Sequence, residues 1–296
     1  MKRICRRAIQ IDALTMCYEV ENTYYYEQLR QLNLGESIDL KEFQLTRTIG
    51  RYYDNIYNIQ AWNGEKTIMF GQMKFNLANG NEESNTHKNG LRKVWLTINN
   101  ETLYSQDVYF LTYIEQKLGL TFHNCTTLDL ALDTPFNISK LVKTYIKSKS
   151  VTTILNGKRI TDRDEDRAEL SYTSSGSLND QNKYQTINIK QRNAIMDKSK
   201  GVTIQSYDKA AEIRNVSDKQ YILEHYGNPI KLYRTEVHLN AEDIKNYVER
   251  RSIQYTPLIF FDATILEDMF FYFINSVIRF QCKTKDVSWE HLLGRS

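Results

Sequence analysis

Between Gly201 and Asn240 the chain carries two short runs in which apolar and polar residues alternate with a period of two, a pattern that suits a strand and not a helix. In the first run Val202 and Ile204 alternate with Thr203, Gln205, Tyr207 and Lys209, so Tyr207 and Lys209 are expected together on a polar strand face. In the second, Tyr233, Thr235, Val237 and Leu239 fall on one face and Arg234, Glu236 and His238 on the other. Upstream, Leu128, Leu130 and Leu132 point one way while Asp129 and Asp133 point the other. If these three strands are neighbours, one sheet surface holds a tyrosine, a lysine, an arginine, a histidine and three carboxylates.

The rest of the chain reads as α+β, an antiparallel sheet with covering helices. Strands are expected over Ala8–Tyr18, Phe43–Ile49, Ile56–Trp62, Thr67–Leu77 and Lys93–Ile98, with Asn63-Gly64 as a hairpin turn because both residues tolerate positive φ. Asn79–Gly90 reads as a polar loop. Asp107 is expected to cap a helix with Leu111, Ile114 and Leu118 as its apolar stripe that stops at Gly119; a strand over Thr126–Asp133 follows, then a helix to about Lys149 and a strand over Val151–Leu155. Glu169–Thr173 reads as a short strand, and the polar stretch from Ser177 to Gly201 receives no strand. Ser217 is expected to cap a helix ending near Gly227, Asn240 another with Arg250 and Arg251 in its last turn, and Asp262 a final one reaching about Gln281. The division expected is a strand-rich N-terminal lobe over residues 1–105 and a catalytic lobe with a C-terminal helix over residues 106–296.

The order LDLALD, SYDKAAE, YRTEVHL at residues 128–133, 206–212 and 233–239 resembles the replication-initiation factor family of rolling-circle plasmids. Its members carry an RxYxK-type tyrosine motif followed by an arginine–x–glutamate strand. The resemblance covers residues 126–240. It implies a catalytic sheet like that of the HUH nucleases, without their His-x-His motif: His87, His123, His225, His238 and His291 are dispersed. It also implies that Tyr207 is a nucleophile joining to a 5′ phosphate and leaving a 3′ hydroxyl, that double-stranded origin DNA and an exposed single-stranded nick site are the substrates, and that the chain dimerises and works with a host helicase and polymerase.

Formal charge is only +3, so a polyanionic partner must be met by local clusters of cations. Lys2, Arg3, Arg6 and Arg7 form one, expected to help the N-terminal lobe hold duplex DNA; Lys190 and Arg192, with Lys198 and Lys200, form another. Each also reads as solvated surface. The 20 tyrosines suit base stacking, and equally suit ordinary strands. The scattered Cys5, Cys17, Cys125 and Cys282 have no CxxC spacing, which predicts a reduced cytoplasmic setting and no structural zinc, and no apolar run is long enough to span a membrane.

Cleaving a phosphodiester with a phenol needs a nucleophile, charge stabilisation and relief of the high phenol pKa. Asp129, Asp133 and Glu236 are hard oxygen ligands suited to Mg²⁺ or Mn²⁺, with His238 a further ligand or a supporting partner, and Lys209 or Arg234 could neutralise phosphate or assist Tyr207. Each has a plainer reading: Asp133 ends a strand or caps a helix, Glu236 and Arg234 form an exposed pair, His238 is solvated, and Tyr207 packs in a strand. The function expected is a metal-dependent nickase that initiates rolling-circle replication. A plasmid-mobilisation relaxase with the same chemistry and a non-catalytic nucleic-acid-binding module are the alternatives.

Overall fold

The computed structural model describes residues 8–105, 107–160, 170–175, 184–197, 200–283 and 285–293, with the side chains at 172–175, 184–185, 193 and 196 left undescribed. The chain divides into two compact units. The first comprises Ile11–Leu128 with Tyr255–Pro257, and the second the described residues of Met1–Gln10, Asp129–Gln254 and Leu258–Ser296.

In the first unit the strands are β1 (Gln10–Val20), β2 (Ser37–Asp39), β3 (Phe43–Thr48), β4 (Tyr53–Trp62), β5 (Thr67–Leu77), β6 (Arg92–Ile98) and the opening residues of β7 (Leu120–Thr134). Their order is β7-β1-β6-β5-β4-β3-β2, and the pairs from β1–β6 to β2–β3 are antiparallel. Alternation builds this sheet: Leu14 and Met16 on β1, Leu45 on β3, Ile59 on β4 and Leu96 on β6 are all fully buried. The helix Phe110–Leu118 packs beneath with Leu111, Ile114 and Leu118 buried and Phe110 edge-on to Phe70, and Gly119 ends it in the left-handed conformation. Because this helix and half of β7 pack with the earlier strands, the first unit runs on to Leu128, past the boundary at 105 drawn from sequence. The stretch read as a polar loop holds a short helix, Glu82–Asn85, capped by the Asn81 side chain.

Gly71 lies where β4 and β5 slip register, and a Cβ built there would sit 2.2 Å from the Thr97 carbonyl oxygen and 3.1 Å from Ile98 Cα. Backbone atoms cannot swing aside as a side-chain end can. Gly71→Ala is therefore expected to destabilise the first unit by about 1–3 kcal/mol, read as a lower denaturant midpoint at unchanged slope. An unaltered midpoint would show that β6 shifts freely.

The second unit carries β7 from Asp129 onward, then β8 (Val151–Leu155), β9 (Lys158–Arg159), β10 (Leu170–Ser175), β11 (Tyr184–Lys190), β12 (Thr203–Asp208), β13 (Tyr233–Asn240), β14 (Ile278–Cys282) and β15 (Lys285–Val287). One sheet runs β10-β11-β12-β13-β7 and another β15-β14-β8-β9. The pairs β10–β11, β11–β12 and β12–β13 are antiparallel. The helix Ile138–Lys147, capped by Asn137, buries Ile138, Ser139 and Val142, and Ser139 Oγ donates to the Ser206 carbonyl oxygen of β12. The helix Ala241–Arg251 opens with a capping box between Asn240 and Asp243 and ends on Arg250 and Arg251, as its charges require. The helix Ala263–Val277 buries Leu266, Met269, Phe273 and Val277.

The α+β class with a large antiparallel sheet, expected from sequence, is what the structure shows. Four local readings need correction. The stretch assigned no strand contains β11, which pairs with β10 and β12. The last long helix ends at Val277, and residues 278–282 turn into β14. Ser217 caps nothing; it closes a π-helical turn over Ile213–Ser217, and the helix that follows is Gln220–His225. Finally, β12 stops at Asp208, whose side chain accepts from Ala211 N and starts a short helix at Lys209, so Lys209 is not a strand residue. Among the described residues no helix is long and apolar enough to cross a membrane.

Candidate functional site

The sheet of the second unit sorts its polar residues into rows. In the β12–β13 register Tyr207 lies opposite Arg234, Gln205 opposite Glu236 and Thr203 opposite His238; in the β11–β12 register Asn188 lies opposite Gln205 and Lys190 opposite Thr203. Residues directly opposite share a face, so Lys190, Tyr207, Arg234, Glu236 and His238 share one side of the sheet. Asp129 and Asp133 of β7 meet that side as well, as their hydrogen bonds show.

At one end the face is sealed. The Arg234 guanidinium clamps Asp133 in a two-pronged pair, Nε to Oδ1 at 2.8 Å and Nη2 to Oδ2 at 2.7 Å, and neither side chain has any exposed surface. Such a bidentate pair supplies the hydrogen bonds that buried charges require. Next in line, Tyr207 Oη donates to Glu236 Oε1 at 2.6 Å, and the same oxygen lies 3.5 Å from Arg234 Nη1. Lys209 Nζ approaches from the helix that follows β12: it donates to Tyr207 Oη at 3.3 Å, pairs with Glu212 at 3.0 Å, and is itself buried. At the other end the face opens. His238 Nδ1 is 3.0 Å from Asp129 Oδ1 and its Nε2 is 3.7 Å from Glu236 Oε2, with the side chains of His238 and Asp129 31% and 20% exposed. Tyr233, on the other side of β13, has its phenol pushed above the ordinary value by burial and by nearby Asp208.

This geometry redistributes the roles expected from sequence. Asp133 is not placed as a metal ligand, because both of its oxygens are held by Arg234, whose charge repels a cation. Arg234 cannot reach a bound phosphate, since it is fully buried and spends two of its donors on Asp133. Asp129, Asp133 and Glu236 do not converge on one point: among the described residues the group of three ligand atoms within 4.8 Å of one another is Glu19, His87 and His123, in the first unit. What remains for a divalent cation near Tyr207 is His238 Nε2 with Glu236 Oε2, and Asp129 on Nδ1 fixes the ring as a carboxylate does behind many metal-bound histidines. Lys190 stands half-buried in the row of His238, at the open end, and Arg192 is exposed on the helix Arg192–Met196. Lys2, Arg3, Arg6 and Arg7 lie outside the described residues.

Two participants were not singled out from the sequence. Glu212 anchors Lys209, and the spacing of three in Asp-Lys-Ala-Ala-Glu, which suits one turn of helix, was the signal for it. Asp208 was the other, visible as a cap only once the strand is seen to end there.

No family model matches the chain, and no curated protein does. Among solved structures it is similar to the rolling circle replication initiator protein from Geobacillus stearothermophilus. The two are 13% identical with a TM-score of 0.49, over 97% of this chain and 91% of that one.

Proposed function

We propose that the chain is a rolling-circle replication initiator that nicks origin DNA through Tyr207. The observation that carries this reading is the short hydrogen bond from Tyr207 Oη to Glu236, with the Lys209 ammonium on the same oxygen. A phenol is a weak nucleophile near neutral pH because little of it is ionised. On this reading Glu236 takes its proton and Lys209 stabilises the phenolate, the two forms of assistance that the attack needs. The Tyr207 oxygen then bonds to phosphorus as the bond from phosphorus to the 3′ oxygen breaks, and the departing oxygen takes up a proton. The phosphotyrosyl ester conserves the energy of the broken bond, so rejoining needs no nucleotide cofactor.

Substrate class is supported by the layout of the face. A strand entering at the open end meets Lys190 and His238 first and Tyr207 last, which suits a phosphate drawn in by cations; the order of the three sequence motifs adds to this. A Mg²⁺ or Mn²⁺ ion would be held by Glu236 Oε2 and His238 Nε2, with Asp129 behind the ring, and would polarise a non-bridging phosphate oxygen. Duplex recognition by the first unit, together with the Lys2–Arg7 arm, belongs to the same proposal.

The test is to trap the intermediate. The full chain is incubated with a suicide oligonucleotide whose upstream fragment, ending in the new 3′ hydroxyl, is lost on cleavage, and the adduct is digested and sequenced. DNA attached at Tyr207 is the expected result; DNA on another tyrosine removes the assignment, and cleavage without an adduct replaces the phenol by water as nucleophile.

A further inference from the structure

Glu19, His87 and His123 come together in the first unit from three separate elements. Glu19 lies near the end of β1, opposite Lys93 of β6, and His123 lies on β7. His87 rides on a tight turn before β6. That turn is closed by the Thr86–Arg92 bridge, by His87 N donating to Leu91 O at 2.8 Å and by Gly90 N donating to His87 O at 2.9 Å. Gly90 takes φ 82°, a conformation that glycine adopts without strain.

Both imidazoles aim the same nitrogen at the same carboxylate oxygen: His123 Nδ1 is 3.3 Å and His87 Nδ1 4.0 Å from Glu19 Oε1. Their ring centroids are 4.0 Å apart. Two histidines held this close repel one another if both are charged, each ring then having only N–H donors, and their Nδ1 atoms compete for a single carboxylate acceptor if both carry a proton there. Ligands bound tetrahedrally to zinc at about 2.0–2.1 Å stand roughly 3.3 Å from each other; the His123–Glu19 pair is at that separation, and His87, at 4.0 Å, needs to close in by less than about 1 Å. The outer atoms are engaged as metal ligands require. His87 Nε2 faces the Tyr18 carbonyl oxygen at 3.4 Å, and Asn89 Nδ2 donates to Glu19 Oε2 at 3.0 Å.

Lys93 is turned away, its ammonium donating to the carbonyl oxygens of Glu83 and Ser84 at 3.3 and 3.2 Å. Cys17 is close but lies on the Nε2 side of His87, at 3.9 Å, away from the Nδ1 atoms that face Glu19. The cluster lines an open cleft of about 1180 Å³, through which an ion and water can enter.

From this geometry we infer that Glu19, His87 and His123 form a binding site for a transition-metal dication, with zinc the best fit, through His87 Nδ1, His123 Nδ1 and Glu19 Oε1. Two imidazole nitrogens and one carboxylate oxygen favour zinc, cobalt or nickel over magnesium, and three protein ligands leave a fourth position for water or an incoming oxygen or nitrogen donor. The site is independent of the Tyr207 chemistry and stands whether or not that proposal does.

The test uses the full chain without a histidine tag, freed of metal by a chelator. Zinc is titrated in competition with a chromophoric chelator, and cobalt is used to read the ligand field. One zinc per chain is expected at this site, with an intense four-coordinate cobalt spectrum free of thiolate charge-transfer bands. His87→Ala and His123→Ala should each abolish it. Asn89→Ala, which removes only the hydrogen bond to Glu19, should weaken zinc binding about 10-fold while leaving the fold untouched. His238→Ala in the second unit should leave this zinc in place. No zinc bound to the unaltered chain, binding that survives both histidine replacements, or a thiolate band in the cobalt spectrum would each overturn the assignment.

Discussion

A protein carrying Tyr207→Phe is expected to fold and to bind DNA but to form no covalent adduct, with plasmid nicking reduced to background. The substitution removes one oxygen. That oxygen donates to Glu236 and accepts from Lys209, and losing these contacts costs about 1–3 kcal/mol, too little for loss of folding to explain the loss of nicking. Glu236→Gln keeps the size and a hydrogen-bonding partner but no longer takes a proton, and should slow adduct formation by about 10²-fold or more. The measurement is covalent labelling by a 5′-blocked oligonucleotide followed over time, with duplex binding determined in parallel. Adduct formed at an undiminished rate by the phenylalanine variant would remove Tyr207 from the mechanism.

The second large effect expected is on stability. Arg234→Met leaves the Asp133 carboxylate buried without its cation, and Asp133→Ala leaves the guanidinium with Glu236 at 3.5 Å in place of a two-pronged clamp; breaking such a pair from one side costs about 3–5 kcal/mol, the Arg234 change the more. Chemical unfolding of each single variant should show a strongly lowered midpoint. Replacing both residues by apolar ones of similar volume should recover much of the loss, because the stranded charge is gone. If Arg234→Met is as stable as the parent chain, the guanidinium is not the keystone of the sealed end, and the surface roles read from sequence for Arg234 and Asp133 return.

How far the sequence revealed this arrangement depends on how local each determinant is. The strand over 67–77 and the strand over 151–155 were legible to the residue, and the Asn240 cap was legible from Asn240 followed by Glu242 and Asp243 before a basic last turn. β11 was hidden because only Ile187 and Ile189 alternate within a polar segment, and its strand character comes from having β10 and β12 on either side. β14 was absorbed into the preceding helix because Val277, Ile278 and Phe280 continue the apolar run with no glycine or proline to punctuate it.

The candidate site was legible in membership and not in arrangement. Alternation brought Asp129, Asp133, Tyr207, Arg234, Glu236 and His238 to one face, and each of them takes part in the network found there. Alternation is silent on whether a polar face meets water. That depends on Asp133 pairing with Arg234 across 101 positions of sequence, which no local pattern encodes.

The joint at Asp208 gives the tyrosine and the lysine different mechanical supports. Tyr207 is held by the ladder of β12 and β13, whereas Lys209 is aimed by the first turn of a helix that Asp208 caps and Glu212 tethers. Base and cation therefore answer to separate frameworks: the sheet fixes the distance from phenol to carboxylate, and the short helix sets the ammonium. Sequence drift in that helix could retune the charge beside the phenol while the nucleophile and its proton acceptor stay in register, giving the chain an adjustable part next to an unadjustable one.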